Sequence, residues 1–225
     1  MSQEPVVRCE GVARTYGRGA TATVALAPTD CEVRPGERVA IMGPSGSGKS
    51  TLVHLLAGLD EPTVGTVSWP AIGGRDDLRP GPVAVIFQGP SLLPPLTVQE
   101  NVALPLVLDG SSHTDARRRA WEVLELVGLL EVREKLPEEI SGGQAQRAAV
   151  ARALAGHPKL ILADEPTGQL DHESAAVVID VLLAAAGEAG AALVVSTHDP
   201  AVADRLEERW IMRNGHIDST RERVA

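Results

Sequence analysis

Gly43-Pro44-Ser45-Gly46-Ser47-Gly48-Lys49-Ser50 follows the pattern G-x-x-x-x-G-K-S, the phosphate-binding P-loop. The spacing answers a physical problem: a triphosphate needs several donors converging on one small volume. Glycines let the backbone turn through positive φ, so successive N–H groups point inward. The helix that follows adds its unpaired N-terminal N–H groups and the positive end of its dipole. In such a loop Lys49 reaches the β- and γ-phosphates and the Ser50 hydroxyl sits on Mg²⁺, with Thr51 beside it in the first helical turn. The context fits. Val39-Ala40-Ile41-Met42 reads as a buried strand, and Ser50 to Ala57 reads as a helix stopped by Gly58.

Working outward, strands and helices alternate. Val6 to Val33 reads as short β-type runs between Gly and Pro turns, an antiparallel edge leading into the P-loop strand. Gly65 to Pro82 is rich in Gly, Pro and Asp and has no clear period. Val83 to Phe87 is a buried strand ending at Gln88. From 89 to 156 the pattern is helical. Thr114 starts a helix whose apolar face includes Ala120, Val123, Leu124 and Val127, stopped by Gly128. Strand patterns return at 160–163 and 192–196, with helical segments near 172–186 and 200–208, and 210–217 reads as a hairpin turning on Asn214-Gly215. The expected fold is α/β: a P-loop NTPase core with a mostly parallel sheet, an antiparallel β edge and an inserted helical subdomain. One domain, 1–225, is expected, with 1–88 and 157–225 as the nucleotide-binding core and 89–156 as the insertion.

Composition narrows the classes. The 225 residues carry a net charge of −9, which argues against a nucleic-acid footprint. The basic cluster Arg117-Arg118-Arg119 reads as a solvated helix face. Aromatics are 2% of the chain, so the core must rest on Ala, Val, Leu and Ile. Cys9 and Cys31 lack metal-ligand spacing, sit in strand-like segments and read as buried thiols in a reducing compartment. Met1 to Pro5 shows no signal-peptide pattern. The longest apolar stretch, 175–186, is interrupted by Asp180 and is too short to span a bilayer.

Further residues complete a phosphate chemistry. Leu160-Ile161-Leu162-Ala163-Asp164-Glu165 is an apolar strand ending in two carboxylates. The strand beside the P-loop strand is expected to deliver an acid to the magnesium, and Asp164 fits; Glu165, one residue on, is placed to polarise the attacking water. Gln88 and His198 also end strand patterns. Gln88 is a candidate for touching magnesium or that water, and His198 for bonding the γ-phosphate; taken alone, each reads more often as an ordinary strand-end residue. Ser141-Gly142-Gly143-Gln144 opens a helix with a serine hydroxyl, two side-chain-free N–H groups and a dipole end. This second phosphate surface lies in the insertion, not beside the P-loop. Two copies would therefore close over shared nucleotides.

Taken together, these segments resemble the ATP-binding cassette (ABC) ATPases over nearly the whole chain. Gly43 to Ser50 matches Walker A, Gln88 the Q-loop, and Ile140-Ser141-Gly142-Gly143-Gln144 the signature usually written LSGGQ. Leu160 to Glu165 matches Walker B, Gly168-Gln169-Leu170-Asp171 the D-loop, and His198 the H-loop. Tyr16 is placed like the aromatic that stacks on adenine. The resemblance implies ATP and Mg²⁺, and catalytic roles for Lys49, Gln88, Glu165 and His198. It places nucleotide contacts at Tyr16, 43–51, 141–144 and Asp171, and metal contacts at Ser50, Gln88 and Asp164. It implies a homodimer in the ATP-bound state, a separate integral membrane permease, and a place on the cytoplasmic face of the membrane. The helical insertion, joined through Gln88, is the expected docking surface.

Phe87-Gln88, Leu92-Leu93-Pro94, Leu96-Thr97, Glu100-Asn101-Val102 and Leu104-Pro105-Leu106 are similar to the lipoprotein-release, macrolide-efflux and cell-division branch. Ile140 replaces the usual leucine, Gln169 stands where asparagine is common, and 65–82 is short enough that a helix is expected to be missing. Non-transport relatives in DNA repair or translation carry coiled coils, zinc modules or a second cassette, none of which is seen here. A binding module without turnover would have lost Lys49, Glu165 or His198, and all three are present. A signalling role that controls cell-wall enzymes is compatible with the same residues.

Overall fold

A computed structural model describes residues 4–223; Met1, Ser2 and Gln3, on which part of the leader expectation rests, lie outside that range. Two sheets form. The larger has six strands in the order β5-β6-β7-β3-β8-β9. These are β3 Arg38–Met42, β5 Val83–Ile86, β6 Leu160–Asp164, β7 Ala192–Thr197, β8 Glu208–Arg213 and β9 His216–Arg223. All pair in parallel except β8 with β9. That last pair is the hairpin expected from Asn214-Gly215, whose φ values of 49° and 78° suit a turn matched to strand twist.

The smaller sheet is antiparallel, in the order β2-β1-β4: β1 Val7–Tyr16, β2 Thr23–Val33 and β4 Val64–Ser68. Here the structure refines the reading. The 6–33 stretch makes two long strands in a sheet of their own, and the segment without a period supplies the third. The rest of that segment holds a 3₁₀ turn at Arg75–Asp77 and no α-helix, as the short length led one to expect. Cys9 pairs with Cys31 across β1 and β2, and both are free buried thiols. Hydrogen bonding between them, with burial, pushes the Cys9 thiol far up.

The central strands β3, β6 and β7 are buried on both faces, which explains their unbroken apolar runs. Period-two alternation divides them between two cores. Ala40, Ile161, Ala163, Leu193 and Val195 face the helices α2 Val98–Leu108, α3 His113–Leu126, α4 Gly142–Ala155 and α5 His172–Ala189. Val39, Ile41, Leu160, Leu162 and Val194 face α1 Lys49–Leu56 and the small sheet. The small side chains Ala148, Val150, Ala151 and Ala155 bring α4 close to the sheet with few aromatics needed.

Three local expectations are corrected. Helix α3 starts at His113, because the Ser112 hydroxyl, not Thr114, accepts the Asp115 N–H. The helix expected over 200–208 lasts only Pro200–Ala203 (α6), because the Glu207 N–H bonds the Arg38 carbonyl and draws the chain into β8. And β6, with its carboxylates, is not beside the P-loop strand: β7 lies between them.

Candidate functional site

The P-loop connects β3 to α1. Gly46 and Gly48 take φ of 77° and 102°. At Gly48 a Cβ would lie 2.3 Å from the Ala25 carbonyl oxygen, and at Gly43 2.3 Å from that of Met212. Glycine is thus required by neighbouring backbone as well as by the turn. Helices α2 to α6 each carry a side-chain cap on a first-turn N–H group. Helix α1 has none. Its opening N–H groups are left to an external acceptor, the condition an anion site needs. The Ser47 hydroxyl is buried without a hydrogen-bond partner, a second sign that the loop fits a polar ligand.

Lys49 is 5% exposed. Its Nζ donates to the carbonyls of Gly43 (2.9 Å) and Pro44 (3.2 Å) and lies 3.2 Å from Glu165 Oε1. The other Glu165 oxygen lies 3.2 Å from His198 Nδ1. So three residues read separately in the sequence, from α1, from the turn after β6 and from the turn after β7, converge. The intervening β7 does not prevent this, because all three strands end at one edge of the sheet.

Glu165 itself has φ 46°, a conformation costing a non-glycine residue about 1–3 kcal/mol. Ser196 imposes it. The Glu165 N–H reaches both the Ser196 carbonyl (3.1 Å) and its hydroxyl oxygen (3.0 Å), while that hydroxyl donates to Asp164 Oδ1 at 2.5 Å. Asp164 is 9% exposed, with His54 Nε2 4.0 Å from its second oxygen. Ser196 is fully buried; it holds the Asp164 carboxylate directly and the Glu165 backbone beside it. Sequence reasoning passed over it, since a serine inside an apolar strand run carries no spacing signal.

Gln88 is exposed, and its Nε2 would stand 3.0 Å from a Cβ at Gly168. It therefore packs on the turn that follows Glu165. Ser50, Gln88 and Asp164 offer a hydroxyl, an amide and a carboxylate, the hard oxygen donors that Mg²⁺ prefers alongside phosphate.

Ser141 to Gln144 lie elsewhere. Ser141 caps α4 in a reciprocal box: its hydroxyl oxygen accepts the Gln144 N–H (3.2 Å), and Gln144 Oε1 accepts the Ser141 N–H (2.9 Å). The hydroxyl proton stays available to an acceptor. Helix α4 packs on α2, α3, α5 and β5, whereas α1 packs on β1, β2, β6 and β7. The two phosphate-type surfaces of this chain are thus borne by different packing units. Asp171 caps α5, both carboxylate oxygens taken by Ser174, whose hydroxyl lies 3.3 Å from the Cβ position of Gly143. Those hydrogen bonds hold the Asp171 carboxyl below the usual range, the Ser174 backbone N–H most of all. The structure places Asp171 with the α4 surface and not with the P-loop. Tyr16, 41% exposed, ends β1.

The family model described as ABC transporter matches residues 26–168. This chain belongs to the ABC transporter ATPase family. The lipoprotein-releasing system ATP-binding protein LolD of Shewanella sp. (strain MR-7) is 39% identical over 98% of both chains. The protein of that name from Pseudomonas fluorescens is 40% identical over 96% of this chain and 99% of its own. Among solved structures, the ATP-binding cassette MJ0796 in a dimeric post-hydrolysis state bound to ADP and Pi superposes with a TM-score of 0.87, at 36% identity over 97% and 99% of the two chains. As an ABC cassette, the chain is an ATP-hydrolysing transporter subunit. Among the contacts of α4 that the sequence did not single out, Gln146, 2% exposed, donates from Nε2 to the Phe87 carbonyl at 3.1 Å. It ties α4 directly to the residue before Gln88.

Proposed function

We propose that two copies of this cassette bind two ATP head to tail and drive a separate integral membrane permease. The observation that carries this is the separation of the open α1 N-terminus from the Ser141 surface within one chain. Each ATP then lies between Gly43–Thr51 of one copy and Ser141–Gln144 of the other, with Tyr16 stacked on adenine and Asp171 at the dimer seam. Ser50, Gln88 and Asp164 would hold Mg²⁺, which would supply positive charge against the phosphates. Glu165 exchanges its bonds to Lys49 and His198 for the attacking water. Lys49 passes to the β- and γ-phosphates, His198 to the γ-phosphate, and Gln88 reports the γ-phosphate to the helical unit. Catalysis is then positioning and charge stabilisation. Binding closes the dimer, and hydrolysis reopens it. Residues 89–156 act as the unit that receives this motion, with 1–88 and 157–225 as the hydrolytic core.

No helix of the described residues is long and apolar enough to cross a membrane. Driving a permease with ATP puts the chain at the cytoplasmic face of the membrane, where ATP is supplied. A groove of about 520 Å³ between β5 and the helices includes Leu93, Leu104, Pro105 and Leu108. Leu108 is 70% exposed, so a large apolar side chain faces out beside it. This is the surface on which the permease docks. The relatives' names support lipoprotein release as the process served.

Purification of the tagged chain from its own membranes, with identification of bound integral proteins, tests the reading. A multi-span protein should co-purify, and Leu108→Glu should release the chain from the membrane fraction with its circular dichroism unchanged. Recovery of the wild-type chain from membranes with no integral partner would contradict the proposal.

A further inference from the structure

We propose that Arg14 and Asp60 are positioning residues for the base end of the nucleotide, fixing the Tyr16 ring before a purine arrives. The inference rests on the reading of Tyr16 as the adenine platform. The Tyr16 hydroxyl donates to Asp60 Oδ2 at 2.7 Å. Arg14 Nε donates to the same oxygen at 2.9 Å, and its terminal nitrogen lies 2.7 Å from Oδ1. The guanidinium carbon stands 4.6 Å from the ring centroid, over one face. A half-exposed tyrosine at a strand end would otherwise sample several rotamers. Here its tip is anchored and one face is covered by a cation. A flat base stacks on the opposite face, completing a cation–ring–base stack.

The anchor has a definite origin. Asp60 lies just past the C-terminal end of α1, whose first residues are Lys49 and Ser50. Eight helical residues span about 12 Å. One rigid helix therefore spaces the phosphate cradle from the carboxylate that aims the base platform. Thr63 secures the turn again: its hydroxyl oxygen accepts the Thr15 N–H (3.0 Å), and its N–H bonds the Ala13 carbonyl (2.8 Å). Asp60 stays an anion in this setting. Partial burial opposes its charge, but the Tyr16 hydroxyl, the Glu61 N–H and Arg14 together hold its carboxyl below the usual range.

Pre-ordering one aromatic side chain is worth about two- to tenfold in ligand affinity. The effect belongs to the base, so a ligand without one is the control. The full-length chain would be assayed as Tyr16→Phe, Arg14→Gln, Asp60→Ala and Tyr16→Ala, with inorganic tripolyphosphate as a competing inhibitor. Tyr16→Phe, Arg14→Gln and Asp60→Ala should each raise the KM for ATP about three- to tenfold, with kcat within about twofold and tripolyphosphate inhibition unchanged. The Tyr16→Phe/Asp60→Ala double variant should show less than the product of the two single effects. Tyr16→Phe removes one oxygen only, so it stands even if Asp60→Ala loosens the turn. If Tyr16→Ala raises KM while the other three leave it within about twofold, the positioning role is wrong and the platform survives. If Tyr16→Ala changes nothing, the platform reading is wrong and this inference goes with it. Loss of tripolyphosphate inhibition in parallel with ATP affinity would assign the effect to general structure and overturn the proposal.

Discussion

Glu165→Gln should lower ATP turnover by two to three orders of magnitude while trapping an ATP-bound dimer, resolved by gel filtration in the presence of ATP. The change keeps shape and volume, so Ser196 still sets the backbone at position 165. What disappears is a base, worth roughly 10²–10⁴ in rate, and a negative charge that would face the γ-phosphate. Removing that charge weakens repulsion in the closed state, so the dimer persists. Lys49 also loses an anionic partner that lies 3.2 Å away, which leaves its ammonium freer for phosphate. Turnover near the wild-type rate would remove Glu165 from the hydrolytic step.

Gly142→Asp should abolish turnover, by at least about a hundredfold, yet leave the single chain as stable as before. Nothing in the protomer lies within 4 Å of a Cβ at Gly142. It is the first residue of α4, where an acid interacts favourably with the helix dipole. The folded monomer has no use for glycine there; only an incoming phosphate does. Thermal melts should therefore match wild type or rise slightly, and ATP binding to the P-loop of the monomer, followed with a fluorescent nucleotide, should change less than about threefold. The ATP-induced dimer should vanish. A variant that melts early would place the requirement for glycine inside the fold, against the shared-site scheme.

How much of this was legible in the chain follows from physics at particular positions. Strands β3, β6 and β7 announce themselves because burial on both faces makes them continuous apolar runs. Strand β4 does not: Val64-Gly65-Thr66-Val67-Ser68 is a half-exposed edge strand with a glycine inside, so neither composition nor alternation marks it. The P-loop and the Ser141 box are local, and local spacing reveals them. Ser196 with Asp164, and Arg14 with Asp60, are pairs 32 and 46 residues apart. Only the fold brings them together. The order of β6, β7 and β3 was likewise hidden, since short apolar strands carry no record of their neighbours.

The placement of the Ser141 surface on a unit apart from the P-loop has a consequence for inheritance. If two copies share their nucleotides as proposed, then in a cell that makes both normal and Gly142-altered chains a mixed pair should have one sound hydrolytic centre and one broken one. The broken centre uses the normal chain's own loop, so a faulty allele disables part of its healthy counterpart. Such alleles should behave as partly dominant in proportion to gene dosage, whereas a null allele, which contributes no subunits, should be recessive.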